Sequence, residues 1–135
     1  MTVELLYKIA DIINSNSQEY HAVVPKAKHD YMAQRKDSPK LVRESCFVLH
    51  IIRHWRKGYR VYRTVWNIYE KDLDKIIEKV CRRDKDFAER IAQCAPTPKD
   101  VEMLVRRASF KSLRLKIADP LLYMYVKDDD ADITK

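Results

Sequence analysis

Between Pro39 and Arg83, apolar and aromatic residues recur at alternating spacings of four and three: Val48, Ile52, Trp55, Tyr59, Tyr62, Trp66, Tyr69, Leu73, Ile76 and Val80. A helix with an apolar residue at every a and d position buries one stripe along its length. The spacing therefore predicts one long central helix. Its opposite side would carry Arg43, Cys46, His50, Arg53, Lys57 and Arg60, with Arg56 and Arg63 on the shoulder. The register passes through Gly58 without a slip. A glycine inside a helix costs about 1 kcal/mol, so continuity or a mild kink is expected there. A break into 39–57 and 59–83 is the alternative. The β-branched and aromatic run from Val61 to Tyr69 has strand character, which the heptad register outweighs.

Gly58 is the only glycine in 135 residues. Glycine supplies the positive φ angles of tight hairpins, so its scarcity argues against an all-β chain. A single glycine also excludes the Gly-rich phosphate loops of nucleotide-binding proteins. Elsewhere the signals are helical. Thr2 caps a first helix to about Ile13, and Tyr20 to Val24 forms a short extended link before Pro25. Pro25 opens a second helix to about Lys36, and Asp37-Ser38-Pro39 is a break and restart. Asp84 caps a short helix over 85–94 that would bury Phe87, Ile91 and Cys94. Thr97 and Asp100 make a capping-box start for another, to about Ala108. Ser109 caps a further helix or short strand around Leu113, Leu115 and Ile117, and a last apolar turn runs from Leu121 to Val126. The expected fold is all-α: an irregular helical bundle of about six or seven helices around one long central helix. Residues 1–127 would form one helical domain, and 128–135, with Asp128, Asp129, Asp130 and Asp132, an acidic disordered tail.

The formal net charge is +7 and the pI about 9.3. The charge is concentrated: from Lys26 to Arg63 there are eleven Lys and Arg against three acids. That balance favours an anionic partner, either nucleic acid or an acidic protein surface. Cys46, Cys81 and Cys94 form no close pair, which fits a reducing compartment. No stretch is apolar enough to span a bilayer, and the first residues lack a secretory pattern. Cytoplasm, or the nucleus of a cell that has one, is the expected location, with no membrane partner.

The densest candidate site is Arg53 to Arg63, RHWRKGYRVYR. Planar guanidinium groups match phosphate oxygens, so Arg53, Arg56, Lys57, Arg60 and Arg63 are the expected nucleic-acid contacts. Lys111 and Arg114, with Arg106, Arg107 and Lys116, would extend the surface. On a helix, Trp55, Tyr59 and Tyr62 would fall on the buried seam and serve as core. Cys46, His50 and His54 lie at i, i+4 and i+8, a helical zinc-ligand spacing that His29 or Asp30 would have to complete. The surrounding arginines would repel a dication, so neither metal nor cofactor is expected.

Arg43 and His50 lie two turns apart on the same helix face. There a histidine can move a proton while an arginine neutralises a phosphate. Arg-x6-His resembles the motif of the HEPN family of helical ribonucleases. The resemblance covers that motif alone and implies metal-independent RNA cleavage by Arg43 and His50, completed by a dimer. The remaining alternative is a helical adaptor that packs its apolar seam against a protein partner or a second copy of itself.

Overall fold

The computed structural model describes residues 1–34, 37, 39–108 and 115. Helix α1, Val3–Asn16, leads into strands β1, Tyr20–Val23; β2, His29–Gln34; β3, Leu41–Cys46; β4, Val48–Lys57; and β5, Arg60–Tyr69. Helices α2, Glu70–Arg83; α3, Lys85–Ala92; and α4, Pro98–Ala108, follow. The fold is mixed α/β, not an all-α bundle. The long central helix does not exist: its span is divided among β3, β4, β5 and α2. The helix expected over 25–36 is replaced by β2.

The error has a geometric cause. In a strand, alternate residues face opposite sides. The 4-then-3 series takes Val48 and Ile52 from one side of the sheet and Trp55, Tyr62 and Trp66 from the other. Gly58 and Tyr59 are the two residues of a tight turn closed by Lys57 opposite Arg60. Gly58 alone of the two has a positive φ, +62°. Two-residue hairpins of this kind take Gly at the first central position. The chain's one glycine thus makes a hairpin turn where a continuous or mildly kinked helix is expected from the spacing. The space around it is open, since an added Cβ would meet nothing within 4 Å. Gly58→Ala should therefore cost only the left-handed backbone penalty, about 1–2 kcal/mol. That cost is expected as faster amide exchange in the β4–β5 hairpin, read by native-state hydrogen exchange.

One antiparallel sheet has the order β1-β4-β5, and β2-β3 form a separate two-stranded sheet. The inner face of the larger sheet carries Tyr20, Ala22, Leu49, Ile51 and Ile68, all buried. These residues share one core cluster with Leu6, Ile9 and Ile13 of α1, Leu73 of α2, Phe87 of α3, and Val101, Leu104 and Val105 of α4. The free edge of β1 is closed by a side chain. Asn14 Nδ2 donates to Ala22 O at 2.9 Å, and Ala22 N donates to Asn14 Oδ1 at 2.7 Å. An amide so placed occupies backbone groups that would otherwise seek another strand.

The caps sit where neighbouring residues put them. Thr2 Oγ1 accepts from Leu5 N, and Asp84 Oδ1 accepts from Phe87 N. At α4, Thr97 N donates to Asp100 Oδ2 at 2.9 Å, and Asp100 N donates to Thr97 Oγ1 at 3.3 Å. Arg90 grips the same buried carboxylate through Nε to Oδ2 at 2.7 Å and Nη2 to Oδ1 at 3.0 Å. Burial pushes the Asp100 carboxyl up. The hydrogen bonds from Arg90 and Thr97 together outweigh it and leave the group below the ordinary carboxylate value. A depressed folded-state pKa stabilises above the unfolded value, near 4, and that contribution is lost as pH falls through the folded one. Asp100→Ala is expected to cost about 2–3 kcal/mol at neutral pH. The loss should shrink at acid pH, as measured by urea unfolding at both values.

Candidate nucleic-acid interface

β4 and β5 are each ten residues long, but β1 reaches only four residues along β4, with Tyr20 opposite Arg53. His54 N donates to Glu19 O at 3.0 Å, the last contact on that side. From Trp55 to Tyr62 the hairpin has no third strand among the described residues. It continues as a two-stranded ribbon, about 13 Å past Arg53 at roughly 3.3 Å per residue. The cause is local. β-branched and aromatic residues flank a turn the single glycine permits, while β1, four residues long, begins only opposite Arg53.

The ribbon collects most of the cations picked out from the sequence. Lys57 faces Arg60, and His54 faces Arg63, in directly opposed pairs. Like charges directly opposite one another are destabilising in a sheet. Among the described residues, Arg56, Lys57, Arg60 and Arg63 form no ion pair. Arg56 Nε is shielded from solvent without a hydrogen-bond partner. The sequence from His54 to Asn67 contains no acid. Several cations elsewhere are engaged: Arg43 pairs with Asp30 at 3.0 Å, Arg82 with Glu78 at 2.6 Å, and Arg106 with Glu102. The ammonium groups of Lys28 and Lys71 lie over the rings of Phe47 and Tyr31.

Arg53 departs from the expected set. Its Nε lies 2.7 Å from Glu19 Oε1, and its guanidinium lies over the Tyr20 ring. It braces the base of the ribbon. Lys111 and Arg114 lie outside the described residues, as does the expected acidic tail at 128–135.

The aromatics do not form a buried seam. Trp55 and Tyr62 stack on each other at 4.5 Å and 18°, and Trp55 Nε1 donates to Thr64 Oγ1 at 2.9 Å. Tyr59, at the turn, is fully exposed, at 100%. Val61 and Val65 are also exposed. A reading of opposed β-branched and aromatic residues about Gly58–Tyr59 would have revealed this arrangement.

No protein family model, curated protein or solved structure matches this chain.

The helix that would have aligned Arg43 with His50 is absent. Arg43 lies on β3 and His50 on β4, in different sheets. Arg43 is paired with Asp30, and His50 Nδ1 lies 2.5 Å from Asn67 Oδ1, whose amide oxygen accepts its proton. The likeness to helical ribonucleases loses its geometric basis. The Cys46, His50 and His54 alignment dissolves for the same reason. Cys46 is buried on β3, where burial pushes its thiol up. His50 and His54 lie on the outer face of β4, about 13 Å apart along the strand. Among the described residues no group of three or more His, Cys, Asp or Glu is placed to hold a metal. No helix among them is long and apolar enough to cross a membrane.

Proposed function

We propose that this protein binds nucleic acid through the β4–β5 ribbon, with Arg56, Lys57, Arg60 and Arg63 contacting phosphates. The helix face first read as the binding surface has gone with the helix. The observation that supports binding in its place is the projecting ribbon, which carries four cations without acids, Arg56 and Arg63 on one face and Lys57 and Arg60 on the other, and opposes Lys57 directly to Arg60. An anionic polymer relieves that repulsion and gains release of its counterions. The three cysteines are unpaired, which agrees with the reducing cytoplasm or nucleus where such a ligand is found.

The direct test is oligonucleotide binding over a salt series. Each phosphate neutralised contributes about −0.7 to the slope of log affinity against log salt for a single strand. Four contacts give a slope of about −2.8. Absence of binding to DNA and RNA at low salt sinks the proposal.

A second reading rests on Val23, Val61 and Val65, all exposed on the outer face of the sheet. That face would suit a protein partner or a second copy of the chain. It predicts self-association or a stable protein complex with no nucleic-acid signal.

A further inference from the structure

We infer that the ribbon's ligand is a single strand, with an unpaired base stacked on Tyr59 and its flanking phosphates held by Lys57 and Arg60. The inference rests on the nucleic-acid reading above and specifies the form of ligand. Tyr59 is the second residue of the Gly58–Tyr59 turn and is wholly exposed. A tyrosine ring entirely in water adds nothing to the core, and its position at the tip leaves the ring available.

The charges complete the arrangement. Lys57 and Arg60 flank Tyr59 as the closing pair of the hairpin, and neither has an acidic partner among the described residues. A nucleotide within a strand has one aromatic base and a phosphate on either side. The tip offers one ring and a cation on either side. Trp55 and Tyr62 are used differently: their rings stack on each other, and Trp55 is tied to Thr64. They stiffen the arm and leave Tyr59 as the platform.

A duplex fits this tip less well. Its base faces are covered by their neighbours, and a ring enters only by unstacking a step. A single strand presents those faces freely, and stacking on an aromatic is tolerant of sequence because every base has a π face. From Arg53 to Arg63 there is no Asn, Gln, Asp or Glu. The side-chain amides and carboxylates that read adenine and cytosine edges are therefore lacking, and weak sequence preference is expected.

The test is fluorescence anisotropy of the full chain at low salt with three ligands. They are a labelled oligothymidylate of about twelve nucleotides, an abasic strand of equal length, and a duplex of equal length. The oligothymidylate is expected to bind about 5- to 100-fold more tightly than the abasic strand, and more tightly than the duplex. Tyr59→Ala should erase that advantage without altering abasic binding, and Tyr59→Phe should keep it. Equal affinity for base-bearing and abasic strands would overturn the inference while leaving phosphate binding intact. Preference for the duplex, or an unchanged advantage in Tyr59→Ala, would do the same. No binding to any of the three would overturn both the inference and the proposed function.

Discussion

Phe87→Ala should lower the free energy of unfolding by about 3–5 kcal/mol. Phe87 is 1% exposed and is the only buried residue of α3. That helix has eight residues, far fewer than an isolated helix needs to persist in water. Its order therefore depends largely on that ring, seated in the core cluster, with the Arg90–Asp100 pair beside it. Truncation leaves a cavity that the packed surroundings fill only partly, and it removes the anchor of the whole element. Urea unfolding followed by far-UV circular dichroism measures the loss. Ile91→Ala on the same helix, where the side chain is only partly buried, should cost less. A Phe87→Ala loss below about 1 kcal/mol would show that α3 is held by something else.

The second large effect concerns binding. Replacing Arg56, Lys57, Arg60 and Arg63 together by alanine should reduce oligonucleotide affinity at low salt by about 100- to 1,000-fold. The salt slope should approach zero, because the groups that displace counterions have gone. Stability should hardly change, since none of the four forms an ion pair among the described residues. The opposed like-charge pair Lys57–Arg60 is also relieved, which favours the variant slightly. Arg53→Ala should behave differently. It removes the Glu19 contact and the packing on Tyr20, so its effect falls on the base of the hairpin more than on the salt slope. Anisotropy titrations at several salt concentrations, paired with thermal unfolding, separate the two behaviours. An unchanged slope in the fourfold variant would place the phosphate contacts elsewhere.

The N-termini of α1, α3 and α4 were legible because each depends on residues next to it. Thr2, Asp84 and the Thr97–Asp100 pair satisfy exposed helix-end amides whatever the rest of the chain does. The strands were not legible in the same way. β4 and β5 stabilise each other across a turn, and a spacing count along one line cannot register that pairing. Folded back about Gly58–Tyr59, the sequence sets Trp55 against Tyr62, Ile52 against Val65, Ile51 against Trp66, and Leu49 against Ile68. That mirror pattern was the missed signal. The candidate site was half legible. Arg56, Lys57, Arg60 and Arg63 stand out by charge alone, and the structure gathers them. The use of Arg53 as a brace, and the release of Tyr59 to solvent, depend on where β1 stops, and nothing near those residues in the sequence records it.

The hairpin outlasts the third strand that supports its base, and this divides labour within the molecule. The buried residues of the core lie under the helices, whereas those proposed to meet a ligand stand beyond them. Substitutions at the tip leave the buried core untouched. Such an arm is a natural place for new specificity to arise without jeopardising the body that carries it.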